Sequence, residues 1–210
     1  MMGKDNIIYK NHKKIKEAIS ACKKVFLWKL EGRPIPPPHV VKQNIIKYYA
    51  IKFRPQNFIE TGTYMGEMID AVLNIFPKII SIEFGSELAD RAKKRFSSYS
   101  HVKIIQGDSG KVLPEVMDDI TEPCLFWLDA HYSGGVTAKS DLETPIVKEL
   151  CVLLEHNCPD HVILIDDARE FTGQNNYPLL DEVRNLILAK RPEWVMQVKD
   201  DVIRIHKAVF

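Results

Sequence analysis

No stretch of the 210 residues is apolar over the roughly 20 positions that a membrane span needs, and the first residues lack the apolar segment of a secretory signal. These two absences predict a cytoplasmic protein with no membrane span. Net charge is almost missing as well: a formal value of +1 provides no overall basic field with which to hold nucleic acid. Lys10, Lys13, Lys14, Lys16, Lys23 and Lys24 are concentrated near the start, where they read as the solvated face of a helix. Cysteine is scarce, and Cys22, Cys124, Cys151 and Cys158 form no C-x-x-C pair. They read as reduced structural thiols, not as a zinc site or a disulfide framework. Internal repeats and low-complexity segments are absent too. A chain of 210 residues with 45% hydrophobic composition can bury one good core and is short for two independent domains.

What is present divides at residue 57. Residues 1–56 read as an N-terminal helical extension: Ile15, Ala18, Ile19, Cys22 and Phe26 recur at the spacing of one apolar helix face. "EGRPIPPPHV" stops that helix, because Pro34, Pro36, Pro37 and Pro38 cannot continue it, and an extended connector leads to a second helix near Val40 to Ala50. Residues 57–210 alternate short apolar runs with amphipathic segments, the pattern of an α/β domain with a mostly parallel sheet. Strands are predicted at "NFIET", "IISIEF", "VKIIQG", "CLFWLD" and "HVILIDD". Between them, Leu88, Ala92 and Phe96 share one helix face, as do Ile146, Leu150, Leu153 and Leu154. The end differs: "EWVMQVKDDVIRIHKAVF" sets two β-rich runs on either side of a Lys-Asp-Asp turn, which predicts a terminal hairpin.

Ligands of an open parallel sheet lie beyond the carboxyl ends of its strands. Here those exits carry Glu60, Glu83, Asp108, Asp129 and the pair Asp166 and Asp167. A single such carboxylate is usually a helix cap or turn residue. Five in succession converge on one rim and repel one another unless a cation or hydrogen-bond donors lie between them. At the first exit, "ETGTYMG" places Gly62 and Gly66 where the chain must turn and approach a ligand. It lacks the middle glycine of G-x-G-x-x-G, and Tyr64 and Met65 would crowd a pyrophosphate, which argues against a nicotinamide dinucleotide. Glu83, at the end of the second strand, suits ribose hydroxyls. A nucleoside ligand without phosphates fits both observations.

"ETGTYMG", the acidic end of the second strand and "GDS" at 107–109 resemble the first three motifs of the class I S-adenosylmethionine-dependent methyltransferases. The resemblance extends over residues 57–210 and implies a Rossmann-like three-layer sandwich whose seven-stranded, mostly parallel sheet has an antiparallel last strand. By it, Glu60, Thr61, Gly62, Thr63 and Gly66 would hold the amino-acid end of the cofactor, Glu83 the ribose, and Asp108 with Ser109 the adenine. Asp129 borders the same cofactor site.

"LFWLDAHYSGG", followed after a helix by "VILIDDA", resembles more narrowly the metal-dependent macrocin O-methyltransferase type, which methylates sugars of natural products. In that pattern the fourth strand ends in Leu-Asp-Gly-Asp and the fifth in Val-Asp-Asp. Asp129, Asp166 and Asp167 fall on its metal-binding carboxylates, an oxygen set that suits Mg²⁺. This chain departs from the pattern where Gly-Asp follows the first aspartate, carrying Ala130 and His131 instead. A neutral imidazole there can take a proton from a substrate hydroxyl. The base is therefore His131 or Asp129, and the departure leaves that choice open.

The implied activity is O-methylation of a sugar, glycoside or other polyhydroxylated small molecule. Loop residues Tyr132, Ser133, Lys139 and Asp141, with Gly134 and Gly135, are placed to cover the acceptor, and Arg169 to meet an anionic one. The proline-rich connector would either cover the same rim or join copies of a homo-oligomer. Two other readings stay open at this point: an NAD-dependent oxidoreductase on a Rossmann scaffold, and a non-catalytic binding protein that keeps the fold.

Overall fold

The computed structural model of the chain describes residues 4–130 and 144–208. Two helices lead, α1 (Lys4–Leu30) and α2 (His39–Phe53), followed by β1 (Asn57–Thr61), α3 (Glu67–Val72), β2 (Lys78–Glu83), α4 (Ser86–Phe96) and β3 (Val102–Gln106). Then come α5 (Ser109–Asp118), β4 (Cys124–Leu128), α6 (Ile146–Glu155), β5 (Val162–Ile165), α7 (Leu180–Lys190), β6 (Trp194–Lys199) and β7 (Val202–Lys207). The strands form one seven-stranded sheet in the order β3-β2-β1-β4-β5-β7-β6. Strands β1 to β5 are parallel, and β7 runs antiparallel to both β5 and β6. This is the predicted sandwich, with the hairpin turning at Asp200 and Asp201, both at positive φ as a tight right-twisted turn requires.

Alternation along the central strands divides the core into two layers. From β4, Leu125 and Trp127 point to one face, where they meet α2, α3 and α4; Cys124, Phe126 and Leu128 point to the other, against α5, α6 and α7. All five are buried, and each large side chain so placed contributes about 1.5–3 kcal/mol. The helix faces read from spacing are the ones that pack: Leu88, Ala92 and Phe96 are buried on α4, and Ile146, Leu150, Leu153 and Leu154 on α6.

The N-terminal extension corrects one expectation. The row Ile15, Ala18, Ile19, Cys22 and Phe26 faces solvent, with Ile15 58%, Ile19 64% and Phe26 62% exposed. Among the described side chains, α1 packs against the body through its last turns, where Trp28 is buried beside Val25. The Trp28 indole Nε1 donates to the Pro34 carbonyl at 2.8 Å, fastening the connector beneath it. Helix α2 is an integral part of the core. Val41, Ile45, Ile46, Tyr49 and Ala50 are buried, and the helix ends at Arg54, whose left-handed conformation precedes Pro55. It spans the sheet from Lys42 at the carboxyl end of β5 to Phe53, whose ring lies 4.7 Å from that of His206 on β7.

Candidate functional site

The parallel strands bring the predicted carboxylates to one end of the sheet, at different depths. Glu60 is inside β1, 1% exposed, with its Oε2 accepting from Ser81 Oγ at 3.2 Å. Burial holds its carboxyl well above the usual range, opposed by the Ser81 hydrogen bond and reinforced by Asp129 and Glu83. Thr63 shares a 2.5 Å hydroxyl contact with the same Ser81, and Thr61 is buried at the end of β1. Gly62 then turns at φ +87° and donates its N–H to the Ile82 carbonyl at 2.9 Å. A Cβ there would lie 2.5 Å from the Asp129 carbonyl oxygen. Only glycine lets the first loop pass that close to the exit of β4. Gly66, at φ +75°, is likewise closed in by the Phe96 ring.

Glu83 is buried and tethers two loops at once. One carboxylate oxygen accepts the Tyr64 N–H at 2.8 Å and the other accepts the Gly85 N–H at 2.9 Å. Each oxygen keeps a lone pair for a ligand hydroxyl. Asp108 caps α5, its Oδ1 accepting from Gly110 N at 3.0 Å, and Ser109 beside it is buried. The structure thus assigns Asp108 the bland capping role as well as a place on the rim.

Asp129, Asp166 and Asp167 form one cluster, with one oxygen from each lying within 4.8 Å of the others. Hydrogen bonds from Asp129 N to Thr61 O and from Asp166 N to Leu128 O, both 3.0 Å, extend the ladder past the strand ends and fix this approach. Asp167 sits at φ +54°, so the chain turns there, and its N–H bonds back to Asp166 Oδ1 at 2.8 Å. Asp166 is 5% exposed. Burial first, then Asp129 and Asp167, raise its carboxyl to about 8, against the pull of Lys42.

Among the described residues, Lys42 and Arg169 are cations that relieve this repulsion. Lys42 Nζ donates to Asp166 Oδ2 at 2.5 Å and to Asp167 Oδ1 at 3.2 Å. Arg169 donates to Asp167 Oδ1 at 2.8 Å and to Asp201 Oδ2 in the β6–β7 turn. The sequence reading misses Lys42, because its position follows from the docking of α2 and not from any motif. It placed Arg169 at the rim but gave it to an acceptor, whereas the guanidinium is engaged by two aspartates. Glu149 on α6 was also missed: 1% exposed, it lines a cavity of about 10 Å³ with Asp129, Thr144, Asp166 and Tyr177, the size of one water. His131, with Tyr132, Ser133, Gly134, Gly135, Lys139 and Asp141, lies outside the described residues.

Solved structures share the fold that carries this rim. The O-methyltransferase TomG from Streptomyces achromogenes, involved in tomaymycin synthesis and solved with SAM, is 16% identical with a TM-score of 0.59, over 90% of this chain and 89% of that one. The SAH-bound methyltransferase PaMTH1 from Podospora anserina is 18% identical with a TM-score of 0.59, over 95% and 97%. An O-methyltransferase from Bacillus cereus, solved with SAH, is 14% identical with a TM-score of 0.58, over 89% and 90%. The chain has their fold. No family model matches the sequence, and no curated protein matches it either. At these identities the likeness concerns the Rossmann-like methyltransferase architecture, and chemistry has to be argued from the rim.

Proposed function

We propose that the protein is an S-adenosylmethionine-dependent O-methyltransferase that modifies a hydroxyl of a sugar, glycoside or other polyhydroxylated small molecule. One observation carries this reading: the Gly62 loop lies against the Asp129 main chain while Glu83 holds that loop and the next by their amides. A ribose-bearing ligand without phosphates suits such a rim, which has no glycine-rich cradle for a pyrophosphate among the described residues. Thr61, Gly62, Thr63 and Gly66 line the amino-acid end, with buried Glu60 beneath them; Glu83 takes the ribose and Asp108 with Ser109 the adenine. The cofactor supplies a methyl group on a sulfonium, open to in-line displacement by an acceptor oxygen.

The three clustered aspartates are hard oxygen donors from two neighbouring strand ends, and that donor set fits Mg²⁺. Bound by Asp129, Asp166 and Asp167, the ion would orient the acceptor hydroxyl and lower its pKa. His131 or Asp129 takes the proton. For His131→Ala the expected result is loss of turnover with S-adenosylhomocysteine affinity nearly unchanged, read by steady-state kinetics beside calorimetry. Equal loss of both would remove His131 as the base.

Thermal unfolding with S-adenosylhomocysteine, and separately with NAD⁺, tests the cofactor. A ligand at one hundred times its dissociation constant adds about 2.7 kcal/mol and raises the midpoint by roughly 5–11 °C. The shift is expected with S-adenosylhomocysteine. A shift with NAD⁺ alone would overturn the reading.

A further inference from the structure

We propose that Lys42 is a built-in competitor for the metal site, so that its ammonium and a divalent ion occupy the aspartate cluster alternately and Lys42 sets how tightly the ion binds. The inference rests on the metal reading of that cluster and concerns a residue of helix α2, which precedes the first strand.

The geometry is one of coincident positions. Lys42 Nζ lies 2.5 Å from Asp166 Oδ2 and 3.2 Å from Asp167 Oδ1, on two of the three carboxylates that form the cluster. A Mg²⁺ ion takes oxygen ligands at about 2.0–2.1 Å, so an ion on those carboxylates would lie against the ammonium. Two cations at that separation repel strongly where little water screens them. Little does: the side chains of Lys42, Asp166 and Asp167 are 14%, 3% and 9% exposed.

The balance of charge points the same way. Three aspartates face Lys42 and a share of Arg169, which also serves Asp201. With Lys42 in place, the three carboxylates share one full positive charge and part of another from the described residues, so a divalent ion gains less there than at a cluster without the ammonium. With Lys42 withdrawn, the cluster regains the larger negative surplus that attracts such an ion. Withdrawal needs no movement of the helix. Buried Val41, Ile45 and Ile46 hold α2 to the core, while the four-carbon stem of lysine carries its charge through several rotamers. Arg169 is less free to follow, because its guanidinium and its own main-chain N–H are both bound to Asp201.

The probe is Mn²⁺ alone, titrated into the full chain and followed by the electron paramagnetic resonance signal of the free ion. Lys42→Met keeps the length of the stem and removes the charge; it is expected to bind Mn²⁺ at least tenfold more tightly than the unaltered protein. Lys42→Arg retains the charge and is expected to bind as weakly as the unaltered protein. Asp166→Asn, made together with Lys42→Met, should abolish the gain and so locate it. The S-adenosylhomocysteine thermal shift serves as the folding control for each variant. Equal Mn²⁺ affinity with and without Lys42 would overturn the competition while leaving the metal site standing. No Mn²⁺ binding by any folded variant would remove the metal site and this proposal with it, leaving the cofactor reading untouched.

Discussion

Gly62→Ala is expected to weaken S-adenosylhomocysteine binding by at least a hundredfold and to lower stability by about 2–4 kcal/mol. The new Cβ would sit 2.5 Å from the Asp129 carbonyl oxygen and 2.9 Å from its carbon. Those atoms are main chain at the exit of β4, so no side chain can swing away, and the strand end or the loop must move. Either movement displaces groups assigned to the ligand, since the loop continues to Tyr64, whose N–H holds Glu83. Left-handed backbone adds its own cost, and Gly32 isolates it. Gly32 has a similar φ of +83°, with nothing within 4 Å of its Cβ position. Gly32→Ala should therefore cost about 1 kcal/mol and leave binding unchanged. Calorimetry and denaturant unfolding of both variants separate close approach from backbone conformation. Equal effects at the two positions would sink the account of the Gly62 contact.

Glu149→Gln is expected to stabilise the protein at pH 8 and to do little at pH 5. Burial raises the Glu149 carboxyl from 4.5 to about 7, opposed by Ser109 and Thr61 and reinforced by Asp108 and Asp129. Its Oε1 has no hydrogen-bond partner among the described residues. A folded-state pKa above the unfolded one means that the native protein holds a proton the unfolded chain has released. The stability this gives is complete below pH 4.5 and is lost as pH rises through 7, about 3 kcal/mol over that window. Glutamine carries no such proton, so the midpoint difference between variant and unaltered protein should grow to roughly 6–12 °C by pH 8. Asp166 and Glu60 also have raised carboxyls, but they are common to both proteins and cancel in the comparison. A difference that is the same at pH 5 and pH 8 would refute the ionisation of Glu149 as its cause.

The fold was legible because the strands are short, apolar and closed by acidic exits, and because the hairpin carries its own turn residues. β1 matches "NFIET" residue for residue, and the two runs around Lys-Asp-Asp are β6 and β7. The aspartate cluster was legible for a related reason: parallel neighbours in register bring consecutive strand exits together. Lys42 and Glu149 were not. Each sits on a helix, where the side chain that meets the rim is decided by how the helix rotates and docks, and α2 offers Lys47 and Lys52 as equal candidates in sequence. Periodicity failed on α1 because it reports an apolar face without saying whether any other element docks against it, and Ile15, Ile19 and Phe26 are exposed. The pairing of Arg169 was not legible, since Asp201 is 32 residues away and reaches it through the antiparallel return of β7.

That return has a consequence in time. Asp201 receives the Arg169 main-chain N–H and its guanidinium, and its carbonyl receives Ala168 N. The turn after β5 is therefore latched by a residue translated after almost everything else described. A ribosome making this chain completes Lys42 early and all three clustered aspartates by residue 167, yet the last strand of the sheet extends to Lys207. Partly synthesised chains hold the acidic residues without the latch on the turn that follows Asp167. The rim is therefore complete only once the hairpin has joined the sheet, because the turn after β5 takes its partner from 32 residues further along the chain.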